Sequence, residues 1–148
     1  MTIDSFTPTV EGNLMENIDW DSPKAVADEP LFYESDELKM YHLGIVVYRT
    51  QLPPKFTSTF MIRIHDLGYI KINNVLVKTI DRTLSKHNKV TLTCNTNEPC
   101  DLQIITEAMG HINYDLSMQE DQKGLREFYN MKDKRQKFSW KMYTVPMD

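Results

Sequence analysis

From His42 onward, apolar and polar side chains alternate along most of the chain. "FMIRI" (60–64) sets Phe60, Ile62 and Ile64 on one face with Met61 and Arg63 on the other, and "KVTLTC" (89–94) aligns Val90, Leu92 and Cys94. A period of two marks a half-buried strand. "HLGIVVYRT" (42–50) is dense in β-branched and aromatic residues and is ended by "LPP" at Leu52 to Pro54. "YIKI" (69–72) and "VLVKTI" (75–80) flank Asn73-Asn74, a pair that tolerates the left-handed conformations of a tight type I′ turn, so 69–80 reads as a hairpin. "DLQIITE" (101–107) places Leu102 and Ile104 on one face and Ile105 on the other, and "FSWKMY" (138–143) alternates Phe138, Trp140 and Met142 with polar neighbours. Short strands with turn signals about every 8–12 residues, and no long amphipathic helix, predict an antiparallel sandwich.

The first 37 residues follow no such pattern. They are polar and acidic, and Pro8, Pro23 and Pro30 interrupt them. They read as an extended arm, partly ordered at most, with Trp20, Leu31, Phe32 and Tyr33 as its apolar anchors. "SDELKMY" supports one helical turn from Ser35. The expected division is an acidic arm over 1–37 and a β-sandwich domain over 38–148.

Composition narrows the classes. A chain of 148 residues, 41% hydrophobic and 26% charged, suits one globular domain with its own core. No apolar run approaches the roughly 18 residues needed to cross a bilayer, and "MTIDSFTPTV" has neither the basic start nor the apolar stretch of a secretory leader. Residues 1–38 hold ten acids against one base, Lys24, whereas 119–148 hold seven bases against five acids. With a net charge of -4, the single basic run "KDKRQKFSWK" (132–141) reads as a solvated loop. No nucleic acid and no membrane is expected as a partner.

Cys94 and Cys100 bracket "CNTNEPC", a spacing that suits a disulfide closing a loop between two strands in an oxidising compartment. No second Cys/His pair stands at zinc spacing. Without an Asn-x-Ser/Thr glycosylation acceptor or a leader, free thiols in an intracellular chain are favoured, with the disulfide as the alternative.

Four ordered segments carry a resemblance. "GIVVYRTQLP", then "IHDLGYIKINNVLV" with "IDR" following, then "DLQIITEAMGHINYD", then "KGL" at Lys123 to Leu125 resemble the C-terminal jelly-roll, galactose-binding-like domain of family 35 glycoside hydrolases, the β-galactosidases. The resemblance covers roughly residues 40–143 and implies an all-β jelly roll. It also has departures. Ala108 stands for the family's asparagine, His111 for its arginine, Asp115 for its glycine, and Asn73-Asn74 for an Asp-Gly turn. Those enzymes carry their two catalytic glutamates on a separate (β/α)8 barrel, which 148 residues of this pattern do not supply.

Residue chemistry agrees with a non-catalytic chain. Glycoside hydrolysis needs two carboxylates held across a sugar, and Glu107 and Asp115 merely flank a turn. Arg49, in a largely apolar strand, needs a charge partner, and the matching motifs suggest Glu107 as a structural ion pair. His65, Asp66, Asp81 and His111 form no dense ligand cluster, so no metal or other cofactor is expected. His111, Asn113, Tyr114 and Trp140 are the residue types that hold a sugar, although Trp140 also suits the core and Asn113 a turn. Three functions follow: a protein-binding module of a larger assembly, a galactoside-binding lectin-like domain, or a non-catalytic piece of a β-galactosidase-type enzyme.

Overall fold

Every run with a period of two becomes a strand. The computed structural model describes residues 18–33, 35–39, 44–65, 67–81, 88–107 and 123–146. Among them nine strands form: β1 (Ala25–Ala27), β2 (Gly44–Leu52), β3 (Phe56–His65), β4 (Leu67–Ile72), β5 (Val75–Asp81), β6 (Asn88–Cys94), β7 (Cys100–Glu107), β8 (Gly124–Asn130) and β9 (Trp140–Pro146). All pair antiparallel. A six-stranded sheet runs β1-β9-β2-β7-β4-β5 and faces a three-stranded sheet, β6-β3-β8. This is the all-β sandwich that the pattern predicts.

Among the described residues, three short connections carry the chain from one sheet to the other. β2 ends at Leu52 and β3 begins at Phe56 in the other sheet, through Lys55 at φ 51°. The second change lies between His65 of β3 and Leu67 of β4. The third joins β6 to β7, and there Cys94 and Cys100 are bonded in a disulfide with Cα atoms 5.6 Å apart. The bond ties one sheet to the other, so the two cysteines are not the free thiols favoured from sequence.

Between the sheets, Phe60, Phe128, Phe138 and Trp140 form an aromatic cluster, with Phe60 stacked on Phe128 at 4.8 Å and Trp140 edge-on to Phe128 at 5.0 Å. Val46, Tyr48, Leu102, Ile104 and Ile70 pack the same core from the larger sheet. That sheet also buries part of its outer face, where Ile45, Val47, Ile105 and Tyr143 make a second apolar cluster. Ile18 and Trp20 of the arm pack against it.

Residues 18–33 of the arm are therefore built into the sandwich. β1 pairs with β9, Ala27 opposite Trp140 and Ala25 opposite Met142. Tyr33 is buried in the same core as Leu38. Its hydroxyl donates to the Thr106 carbonyl (2.8 Å) and accepts from the Val46 amide (3.2 Å), while the Tyr48 hydroxyl donates to the Leu31 carbonyl. The turn expected at Ser35 also forms, with the Leu38 amide on Ser35 Oγ (3.3 Å) and the Lys39 amide on the Ser35 carbonyl (2.8 Å).

The "KG" of the sequence acquires a reason here. Gly124 opens β8 at φ +104°, and a Cβ there would meet the Tyr48 hydroxyl and, at 2.9 Å, Cδ1 of Tyr33. Gly124→Ala combines backbone strain with overpacking against the two arm-holding tyrosines. It should cost roughly 2–4 kcal/mol, read as a lower urea midpoint at an unchanged m-value. Reduction of Cys94–Cys100, a closure with a sequence separation of 6, should remove about 2 kcal/mol by the chain-entropy argument. Thermal unfolding with and without reductant checks this, and the unreduced protein should show no thiol in a denaturing thiol assay.

Candidate functional site

The outer face of the larger sheet has two halves. Strand register groups Ile45, Val47, Ile105, Tyr69, Tyr143 and Val145 toward one end. Toward the other end, Arg49 stands opposite Gln103 and Lys141, and Gln51 opposite Asp101. Trp20 sits where the halves meet. Its ring meets Tyr143 edge-on at 4.9 Å, the Arg49 guanidinium lies 5.1 Å from its centroid, and the Tyr143 hydroxyl donates to its carbonyl at 2.8 Å.

Arg49 does not pair with Glu107. Glu107 lies opposite Ile45, four residues from Arg49 along the neighbouring strand, or about 13 Å at strand rise. Asp101 is the partner instead, as the diagonal neighbour of Arg49: Nε donates to Asp101 Oδ1 at 2.8 Å, with the two side chains 35% and 27% exposed. Gln103 Nε2 donates to the other oxygen at 3.2 Å. The Asn73-Asn74 turn holds the backbone of Asp101. Both asparagines have positive φ, 49° and 67°, as a type I′ turn requires. The Asn73 amide donates to the Asp101 carbonyl, and Asn73 Oδ1 accepts from the Asp101 amide, each at 2.9 Å.

The electrostatics follow this geometry. The hydrogen bond to Asp101 raises the Arg49 pKa above its ordinary value, against the opposing effect of burial. Burial is also the main cause that raises the Tyr143 phenol, and the nearby Arg49 charge works in the other direction.

These side chains edge a groove of about 660 Å³ between the arm and the sheet. Trp20, Pro53 and Phe138 give it apolar surface, and Asp21, Arg49, Asp101, Gln51, Gln136, Lys137 and Lys141 give it polar groups. The volume falls within the roughly 300–1,000 Å³ range of small-molecule sites. The groove mixes donors and acceptors beside an indole. It holds two carboxylates, but Asp101 is already held by Arg49 and Gln103.

Of the sugar-holding residues expected from sequence, Trp140 alone is among the described residues, and it lies in the core. Trp140 is 1% exposed in the aromatic core, which leaves almost none of it for a ligand. The cause is its position on the inward face of β9, beside Phe128 and Phe138. His111, Asn113 and Tyr114 lie outside the described residues, as do Asp66 and Asp115. Sequence reasoning named Trp20 only as an arm anchor and did not single out Asp101, because their meeting depends on strand register.

The neutral phenol of Tyr143 is favoured in the fold, so the unfolded chain releases that proton first as pH passes its ordinary 10.0. Stability from this group is complete below that pH and is lost as pH rises through the higher folded value. Melting temperatures between roughly pH 8 and 11.5 should fall at the alkaline end, and Tyr143→Phe should flatten that part of the curve.

Comparison with known proteins bears on the whole chain. Residues 34–146 match the sequence profile of a family described as "Beta-galactosidase, first all-beta domain". The chain is 30% identical over 132 residues to the "Beta-galactosidase-1-like protein" of Mus musculus, covering 86% of this chain and 20% of that protein. It is 32% identical over 94 residues to the "Beta-galactosidase" of Bos taurus, covering 60% of this chain and 14% of that one. The chain thus spans a fifth or less of the length of these relatives.

Proposed function

Because the chain belongs to the family of the first all-β domain of β-galactosidase, we propose that it is a non-catalytic accessory module that docks against a protein partner. The match covers an accessory all-β domain and not a catalytic one. The observation that carries the reading is the edge strand β5. Among the described residues it pairs with β4 on one side and closes its sheet on the other. Val75, Leu76 and Val77 are 65%, 54% and 44% exposed in succession, so both faces of the strand's first three residues are apolar and open, ahead of the exposed Lys78 and Thr79.

An apolar edge strand of this kind is a template for pairing and is ordinarily covered, charged or shortened. The occupant we infer is a catalytic barrel of the β-galactosidase type, carried on the same polypeptide or a separate one. Relatives about five times longer than the matched segment support it, since they hold such a domain beside much more chain. The disulfide favours an oxidising compartment over the intracellular one expected from sequence.

The test is binding of this chain to a β-galactosidase catalytic barrel prepared without its own all-β domain, read by calorimetry. A Val75→Lys/Val77→Lys variant should keep its melting temperature, because both side chains are exposed, and should lose the complex. Equal binding by the variant, or hydrolysis of a chromogenic galactoside by the chain alone, would overturn the reading.

A further inference from the structure

We propose that the basic connection from β8 to β9 is a docking site for an acidic, extended peptide segment of a protein partner. Residues 131–141 carry Lys132, Lys134, Arg135, Lys137 and Lys141 against Asp133 alone, in a chain whose net charge is -4. All five bases are exposed. Among the described residues, none of them has a carboxylate within ion-pair distance. This surface is apart from the docking edge. β9 stands four strands from β5 in the larger sheet, about 19 Å at ordinary strand spacing.

The loop is solvated, as its sequence suggests, yet its backbone is pinned from inside. Asn130, 5% exposed, accepts from Ser58 Oγ at 2.7 Å and from the Lys132 amide at 3.0 Å through one oxygen. Its Nδ2 donates to Gln136 Oε1 at 2.8 Å. The Met131 amide donates to the Thr59 carbonyl at 3.0 Å, and Asp133 Oδ1 accepts from the Arg135 amide at 3.2 Å. Phe138 then returns the chain to the aromatic core. A held backbone fixes where the charges start from, which lowers the ordering cost for a partner that meets several at once. Lys134 lies over the Tyr129 ring, 5.3 Å from its centroid. Arg126, Tyr129, Lys134 and Lys137 line a recess of about 280 Å³, and Lys137 and Lys141 also line the groove beside Arg49. The cations thus follow one path from the recess to the groove.

The acids along this path decide the class of partner. Asp28 and Glu29 line the same recess, and Asp21 and Asp101 line the groove. A nucleic-acid backbone or an anionic lipid surface is negative throughout and would set like charge against them. An acidic peptide carries carboxylates at some positions and neutral groups at others, so it pairs with the lysines and leaves these acids unopposed. Bilayer insertion would draw on Met131 alone, at 36% exposed, among the exposed residues of 131–139.

The experiment uses the full chain and a fluorescein-labelled dodecapeptide of alternating Glu and Gly, with the Gln-Gly peptide as the neutral comparison. Fluorescence anisotropy should show saturable binding with a dissociation constant on the order of 0.1 mM in dilute salt, weakening as salt rises. The Gln-Gly peptide should not bind. Lys134→Gln/Lys137→Gln should weaken binding roughly three- to tenfold at an unchanged melting temperature. Lys78→Gln/Lys89→Gln removes the same charge from exposed positions on β5 and β6 and should bind as the parent does. Binding should also survive Val75→Lys/Val77→Lys, so this site and the β5 edge fail independently. Three results would overturn the site: no binding of the Glu-Gly peptide, equal loss in both lysine pairs, or binding confined to phosphatidylserine vesicles or a DNA duplex.

Discussion

A sheet whose central strands are buried on both faces needs a cover on each. β2 and β7 carry apolar residues inward, where the three-stranded sheet receives them, and outward, where no second sheet stands among the described residues. Ile45, Val47 and Ile105 would face water on that outer side if the arm were not laid across it, and each such side chain is worth about 1.5–3 kcal/mol when buried. The rest of the arm answers to this need. β1 extends the sheet, Tyr33 enters the core, and Tyr48 fastens Leu31. Residues 18–33, which sequence alone assigns to the acidic arm, thus pack as part of the sandwich.

The same cover makes the groove. Ile18 and Trp20 of the arm lie on the apolar half of the outer face, and the polar half lines the groove. Trp20 at the boundary serves both, as a cap on Tyr143 and as a wall beside Arg49. Arg49 faces Lys141 directly across β9, a like-charge pairing that costs stability. Asp101 and the indole offset it. A network that relieves repulsion within the sheet also presents ordered polar groups to the outside.

How much was legible from sequence depends on what each feature needs. Strands whose alternation is strict, such as Phe56–His65 and Asn88–Cys94, are read from their own residues. The Asn73-Asn74 turn is equally local. Gly124–Asn130 was missed because Arg126 and Glu127 break the alternation at its centre. They are accommodated by neighbours far along the chain, Arg126 over Phe32 at 5.0 Å and Glu127 beside Arg63 at 3.9 Å. Ala25–Ala27 has no signal of its own, since β9 supplies its pairing. The partner of Arg49 and the orientation of Trp140 both follow from register and sheet face. The family resemblance gave the architecture, and it could not place Trp20, which precedes the matched region.

The pairing of β9 has one more implication, for the order of events during synthesis. β9 joins the short strand from the arm to the main body of its sheet, so Ala25–Ala27 finds its partner only in Trp140–Met142. β8 likewise completes the smaller sheet around β3 late in the chain. Such pairings close very long loops and are slow to form. While the ribosome is still adding residues before Trp140, β2 has an open edge and Tyr143 is not yet there to receive Trp20. A nascent chain at that stage exposes apolar strands until the segment from Trp140 onward is made, at about 5–20 residues per second.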